Sequence, residues 1–239
     1  MTQGIHQLTA SMVNQLNRVD VVSNNLANAN TVGFKEDNLA EGSFNRYLRE
    51  KTKKDEVMLK ESLVMNTIPK IDTSYKNESV GAAVETGNDL DFAIKDKDMF
   101  FKVKNAQGNI EYTKDGSFKV EDGRLITQNG YSVLDANNQE INIDNPDFGT
   151  TIALVSTDFK NLENIGNNNY KAKNEDEITI VAESGQYILQ GALEKSNVNT
   201  IKTMVGLIEA QRKFEQSQKA INGIDTINSK VIESIGNNR

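Results

Sequence analysis

The chain has no cysteine and no tryptophan, and only one histidine and two prolines among its 239 residues. Without cysteine there is no disulfide scaffold and no thiolate metal site, which fits a cytoplasmic protein or one exported without oxidative folding. The single histidine, His6, has no second His or Cys with which to share a metal or a triad, so it reads as a polar helix residue. Aromatics make up 6% and apolar residues 37% of the chain, lean for one large core. A basic surplus is lacking too. The net charge is -7, and Lys and Arg are interleaved with Asp and Glu, which argues against the basic patch that a nucleic-acid surface requires. The longest apolar run is Ile152 to Val155, so no segment spans a membrane, and Met1 to Ala10 has neither the basic start nor the apolar core of a secretory signal. Gly-rich phosphate cradles are absent. Asp89, Asp91, Asp96 and Asp98 alternate across an expected strand and turn without the Gly and distal Glu of a calcium loop, so they point to opposite faces rather than to one ion. No cofactor, no metal and no enzymatic activity are expected.

What the chain does have is two amphipathic ends. From Val198 to Ile235 a heptad seam carries Leu207, Ala210, Phe214, Ser217, Ile221, Ile224, Asn228, Val231 and Ile235, with the charged residues elsewhere. That pattern predicts one helix about 55 Å long, more than a compact core can cover. At the other end Ile5, Leu8, Met12, Val19, Val22 and Leu26 recur at spacings of three and four, with Gln15 in the seam and Leu16 beside it. A helix over about Gln3 to Ala27 would reach about 37 Å, so pairing the two ends leaves part of the longer stripe for an intermolecular contact. Arg18 and Asp20 are the only charged side chains in the first 34 residues, which instead carry many amides. A face that will be covered favours amides, because burying a partnered amide costs far less than burying a charge.

Between Lys35 and Glu61, 14 of 27 residues are charged, which predicts a solvated connector with one short helix around Phe44 to Lys51. Pro69 then fixes an extended approach to the middle of the chain. From about Val80 to Leu193 short apolar runs alternate with Gly and Asn. Strands are expected at Leu90–Ile94, Met99–Val103, Ile110–Thr113, Ser117–Val120, Leu125–Thr127, Ser132–Leu134, Ile141–Ile143, Ile152–Val155, Ile178–Val181 and Ile188–Leu193. Asn105-Ala106-Gln107-Gly108-Asn109, Lys114-Asp115-Gly116 and Glu121-Asp122-Gly123 mark hairpins. The fold class that follows is α+β, with long N- and C-terminal helices packing as a coiled-coil-like helical domain and an all-β domain inserted between them. Its expected divisions are residues 1–34 with 198–239, a connector at 35–77, and a β-rich outer domain at 78–197.

The run Ser23-Asn24-Asn25-Leu26-Ala27-Asn28-Ala29-Asn30-Thr31-Val32-Gly33-Phe34-Lys35 resembles the N-terminal signature of the bacterial flagellar rod and hook proteins. Thr86 to Ile94, Tyr112 to Phe118, Asp122 to Leu125, and Leu193 to Asn199 leading into Met204 to Arg212 are similar to further signatures of that family, so the resemblance covers most of the chain. One departure is Lys95-Asp96-Lys97-Asp98-Met99-Phe100-Phe101, where many members carry a Gly-rich turn; it points toward a rod subunit of the proximal sort. The resemblance implies a structural subunit of the basal-body rod that polymerises through its terminal helices into the drive shaft. It implies as partners itself, neighbouring rod and hook subunits and the flagellar type III export apparatus, with no nucleic acid and no membrane insertion. It implies a place in the periplasmic rod, reached without a cleaved signal peptide. Hook or distal-rod relatives, or a non-flagellar β-domain binding module with dimerising helices, stand as alternatives. The expected subunit interface is Ile5, Leu8, Met12, Leu16, Val19, Leu26, Leu207, Phe214, Ile221, Ile224, Val231 and Ile235. The expected structural turn is Asn24, Asn25, Asn28, Asn30, Gly33 and Phe34, with Gly33 at positive φ.

Overall fold

The computed structural model of the chain describes residues 2–43, 69–144 and 148–236. The short helix expected around Phe44 to Lys51 lies outside them. The fold is α+β, as the sequence pattern implies, and divides into two compact units: Met1–Ala27 with Asp37–Tyr75 and Asn199–Arg239, and Asn28–Glu36 with Lys76–Val198.

In the first unit helix α1, Thr2–Ala27, packs against helix α2, Thr200–Gly236. Asn199 caps α2: its side-chain oxygen accepts from the Lys202 amide at 3.0 Å, satisfying a first-turn donor that has no partner within the helix. Along α2, Thr203 and Ala210 are buried and Leu207, Phe214, Ser217, Ile221, Ile224 and Asn228 are half-buried, spaced by threes and fours. A second apolar row on the same helix, Ile201, Met204, Val205 and Ile208, is exposed, Ile201 at 78%. Two strands, β1 (Asp37–Ser43) and β2 (Pro69–Lys76), pair with each other. β1 forms inside the stretch expected to be a solvated connector. Charged residues suit a two-stranded ribbon whose faces are not both enclosed, so charge density alone does not exclude a strand.

The second unit is antiparallel throughout its described pairings. Its centre is β5 (Met99–Lys104), which pairs along one edge with β6 (Ile110–Thr113) and along the other with β10 (Leu154–Ser156) and then β9 (Ser132–Val133). Beyond β9 lie β8 (Arg124–Thr127) and β7 (Phe118–Glu121); beyond β6 lie β12 (Asn169–Ala172) and β11 (Leu162–Gly166); and β13 (Thr179–Ile180) adds to β10. Side chains alternate across a strand, and β5 uses both faces. Met99, Phe101 and Val103 enter one core with Phe92, Phe118, Leu125 and Leu154, while Phe100 enters another with Tyr112, Phe159 and Tyr170. The rings of Phe100 and Phe159 meet edge to face at 4.9 Å, so a lean aromatic content is concentrated where it packs.

Two expected strands differ from the chain. Ile188–Leu193 is divided at Gly191, φ 76°, into β14 (Ile188–Gln190) on β4 (Phe92–Ile94) and β15 (Ala192–Glu194) on β3 (Ala83–Glu85), because a left-handed residue cannot continue a ladder. Ile141–Ile143 contributes only isolated bridges on either side of Ile141, whose side chain is nonetheless buried. Burial drives the apolar pattern there without a continuous ladder.

Candidate functional site

The segment that leaves α1 and the segment that leads to α2 are tied together inside the second unit. After α1 the chain turns twice, through the Thr31 amide on the Asn28 carbonyl at 3.1 Å and the Phe34 amide on the Thr31 carbonyl at 3.3 Å, and takes φ 65° at Gly33. A Cβ at Gly33 would lie 2.4 Å from the Lys114 carbonyl oxygen, so the position excludes side chains by space as well as by dihedral. The Gly33 amide donates to the Glu194 carbonyl at 2.8 Å, and the Glu36 amide donates to the Asn197 side-chain oxygen at 2.8 Å. Asn197 in turn donates through its amide group to the Asn77 and Ser79 carbonyls at 2.8 and 3.0 Å. Gly81, whose added Cβ would fall 1.9 Å from the Lys195 carbonyl oxygen, lets residues 77–82 lie against this exit.

Three charged side chains are enclosed at this junction. Lys35, Glu194 and Lys114 are 0%, 2% and 1% exposed. The Lys35 ammonium meets Glu194 Oε1 at 2.5 Å and donates to the Ser79 carbonyl at 2.8 Å, while the same Oε1 accepts from the Gly81 amide at 2.7 Å. Glu194 Oε2 is buried and has no hydrogen-bond partner. The Lys114 amine donates to the Asp96 carbonyl at 2.9 Å and lies 4.8 Å from the centre of the Phe100 ring. Burial, followed by the nearby Lys35 charge, holds Lys114 well below the ordinary lysine range, at about 7, against the opposing pull of Glu194, Asp96 and Asp98. Burial also pushes the neighbouring Asp115 carboxyl up, although the Ser117 hydroxyl and amide both donate to it.

Of the expected turn residues, Gly33 and Phe34 are buried within this junction, Asn28 is half-buried and Asn30 is exposed. Asn25 lies in the other unit, buried, where its side chain both donates to and accepts from the Asp37 backbone at 2.8 Å, pairing as another strand would. Asn24 is exposed. Of the expected interface residues on α1, Leu8, Met12, Val19 and Leu26 are half-buried and Leu16 is 42% exposed. On α2, Leu207, Phe214, Ile221 and Ile224 are half-buried and Val231 is 38% exposed. The side chains of Ile5 and Ile235 lie outside the described positions. Lys35, Lys114, Glu194 and Asn197 were not singled out from the sequence. Their signal was faint: all four fall within the quoted family runs, but nothing in those runs distinguishes a buried charge from an exposed one.

Asp91, one of the acids weighed as a calcium ligand, instead accepts from the Thr86 hydroxyl at 2.6 Å and the Asn88 side chain at 3.2 Å. Among the described residues no group of three or more His, Asp or Glu side chains is placed to hold a metal ion, and no helix is long and apolar enough to cross a membrane.

The chain is 32% identical over 238 residues to the flagellar basal-body rod protein FlgF of Caulobacter vibrioides, covering 91% of each chain. It belongs to the flagellar basal-body rod protein family. A second FlgF, from Rhizobium meliloti, is 30% identical over 257 residues covering all of both chains, and the flagellar hook-basal body complex protein FlhO of Bacillus subtilis is 26% identical over 99% of both. Family profiles match in three places. "Flagella basal body rod protein" covers residues 10–35, ending on the buried Lys35; "Flagellar hook protein FlgE/F/G D1 domain" covers 96–163; and "Flagellar basal body rod FlgEFG protein C-terminal" covers 189–234, taking in Glu194, Asn197 and most of α2. This rod-family chain is a structural subunit of the flagellar basal body.

Proposed function

We propose that this subunit polymerises through α1 and α2, its terminal helices packing coiled-coil-like with those of neighbouring rod and hook subunits, while the β unit forms an outer layer that resists torque. The observation that carries this reading is the seam of α2. Over 37 residues it is only half-covered at Leu207, Phe214, Ile221 and Ile224, and a helix of 26 residues is too short to cover it all. Each half-buried aliphatic group gains by further enclosure, up to about 1.5–3 kcal/mol for complete burial. Subunits added heterologously along one axis would supply that cover and generate an open helical array. The same reading makes the chain non-enzymatic and takes it to the periplasmic rod by the flagellar type III export apparatus without a cleaved signal peptide.

Within the family we assign it to the proximal rod, because Lys95-Asp96-Lys97-Asp98 stands where many members carry a Gly-rich turn. Here that turn is held by the Lys114 amine on the Asp96 carbonyl and the Asp98 amide on the Asp96 carboxylate. A hook or distal-rod place is the second reading. Immunogold labelling of purified basal bodies separates them: label on the rod next to the motor supports the assignment, and label at the hook overturns it.

A further inference from the structure

The junction encloses one carboxylate and two lysine amines, and the numbers do not balance. Lys35 and Glu194 neutralise each other at 2.5 Å, so a proton on Lys114 leaves one uncompensated charge inside the protein. The surroundings offer that charge limited relief. From the turn before β5 come Asp96, which presents its carbonyl, and Asp98; from β15 comes Glu194, with an unpartnered Oε2; from β5 comes the Phe100 ring. Against it stands Lys35 on the segment leaving α1. Asp115, beside Lys114 on the same turn, has its carboxylate oxygen engaged by Ser117. Glu36 is engaged by the Asn77 side chain at 3.1 Å.

We infer that Lys114 is a proton-operated catch: unprotonated, it lets residues 28–36 lie closed against Glu194 and Asn197, and on taking up a proton it drives that segment to open while the β-sheet core stays folded. The mechanical link is direct. The Lys114 carbonyl oxygen is the atom that a Cβ on Gly33 would strike, and the Gly33 amide is held by the Glu194 backbone, so a shift of Lys114 that carries its amine to water displaces the segment packed on its backbone. The sign follows from the two environments. Closed, Lys114 titrates at about 7; opened and solvated, it returns to the ordinary lysine range. Opening therefore takes up a proton at every pH between those limits, and grows easier by about tenfold for each unit of falling pH until it levels off near neutrality. This property belongs to the single chain and is independent of how the subunits stack.

The test is amide hydrogen exchange by NMR on the full chain between about pH 7.5 and about pH 9, with each rate divided by its intrinsic value. At Gly33 and Asn197 the corrected rate is expected to fall about tenfold per unit of rising pH in the wild type and to stay level in Lys114→Met. Level rates in the wild type, or an equal slope in Lys114→Met, overturn the catch. So do corrected rates at Gly33 and Asn197 no faster than those at the amides of β5 and β6, since the segment would then open only when the whole unit unfolds. If Lys114→Met does not fold, the side-chain nitrogen of Lys114 is titrated in the wild type: a midpoint near neutrality supports the catch, and one in the ordinary lysine range overturns it.

Discussion

At Gly33 a left-handed dihedral and a carbonyl oxygen 2.4 Å from any added Cβ act together. Backbone strain for a side-chain-bearing residue there costs about 1–3 kcal/mol, and the clash adds to it, because the struck atom is backbone and cannot rotate away. Gly33→Val is expected to abolish motility and rod incorporation while the far-UV circular dichroism of the β unit is kept; motile cells with normal rods would show that the turn is not required. The ion pair beside it makes a different prediction. Glu194→Gln keeps an acceptor for the Gly81 amide but strands the Lys35 ammonium, and should cost about 3–5 kcal/mol in urea unfolding followed by tyrosine fluorescence. Adding Lys35→Met to that variant removes the stranded charge and is expected to restore most of the loss. A double variant no more stable than the single one would mean that the carboxylate serves some group other than Lys35.

At the scale of elements, the two long helices differ in how much of their apolar surface is enclosed. Ile221, half-buried on the α2 seam, is the position at which to test this. Ile221→Asp is expected to shift the thermal midpoint of the β unit in the purified monomer little, since the melting of that unit does not depend on the helix, and to eliminate rods from cells, where the cost of an enclosed unpaired carboxylate recurs at every subunit. A large fall in the monomer midpoint would place the seam in an intramolecular core, and intact rods would leave Ile221 facing solvent. The helices and the central strands were legible because their signals are local: a run of threes and fours, or alternation ended by Asn and Gly. Met99–Lys104 and Ile110–Thr113 are found almost residue for residue where alternation puts them. The Asp37–Ser43 and Pro69–Lys76 pair was not legible, because a charged ribbon has no apolar alternation to read. The junction was hidden for a stronger reason. A lysine inside a protein is spelled like one on its surface, and the partner that makes burial tolerable lies 159 residues away.

For the molecule as a whole, dilute solution should divide the chain by how well each part encloses itself. Helices without neighbours gain less from packing than their ordering costs. Trypsin at low protein concentration is expected to cut early after Arg18, Lys202 and Arg212, and to spare Lys35 and Lys114, leaving a resistant core that contains residues 78–197. The same helix sites should resist in isolated rods. Resistance of the full-length monomer would count against assembly as the source of helix order. Far from the junction, the hairpin tip Ala106 to Gly108 is exposed, and an added Cβ at Gly108 meets nothing within 4 Å. Its closing bonds are made locally, with the Asn105 side chain accepting from the Gln107 and Asn109 amides at 3.0 and 2.9 Å. Exposed tips of this sort accept inserted residues at small entropic cost. An epitope placed between Gln107 and Gly108 should leave cells swimming and give the rod a handle, so that a rotating shaft could be gripped, counted or lit by a genetically encoded tag without touching the terminal helices.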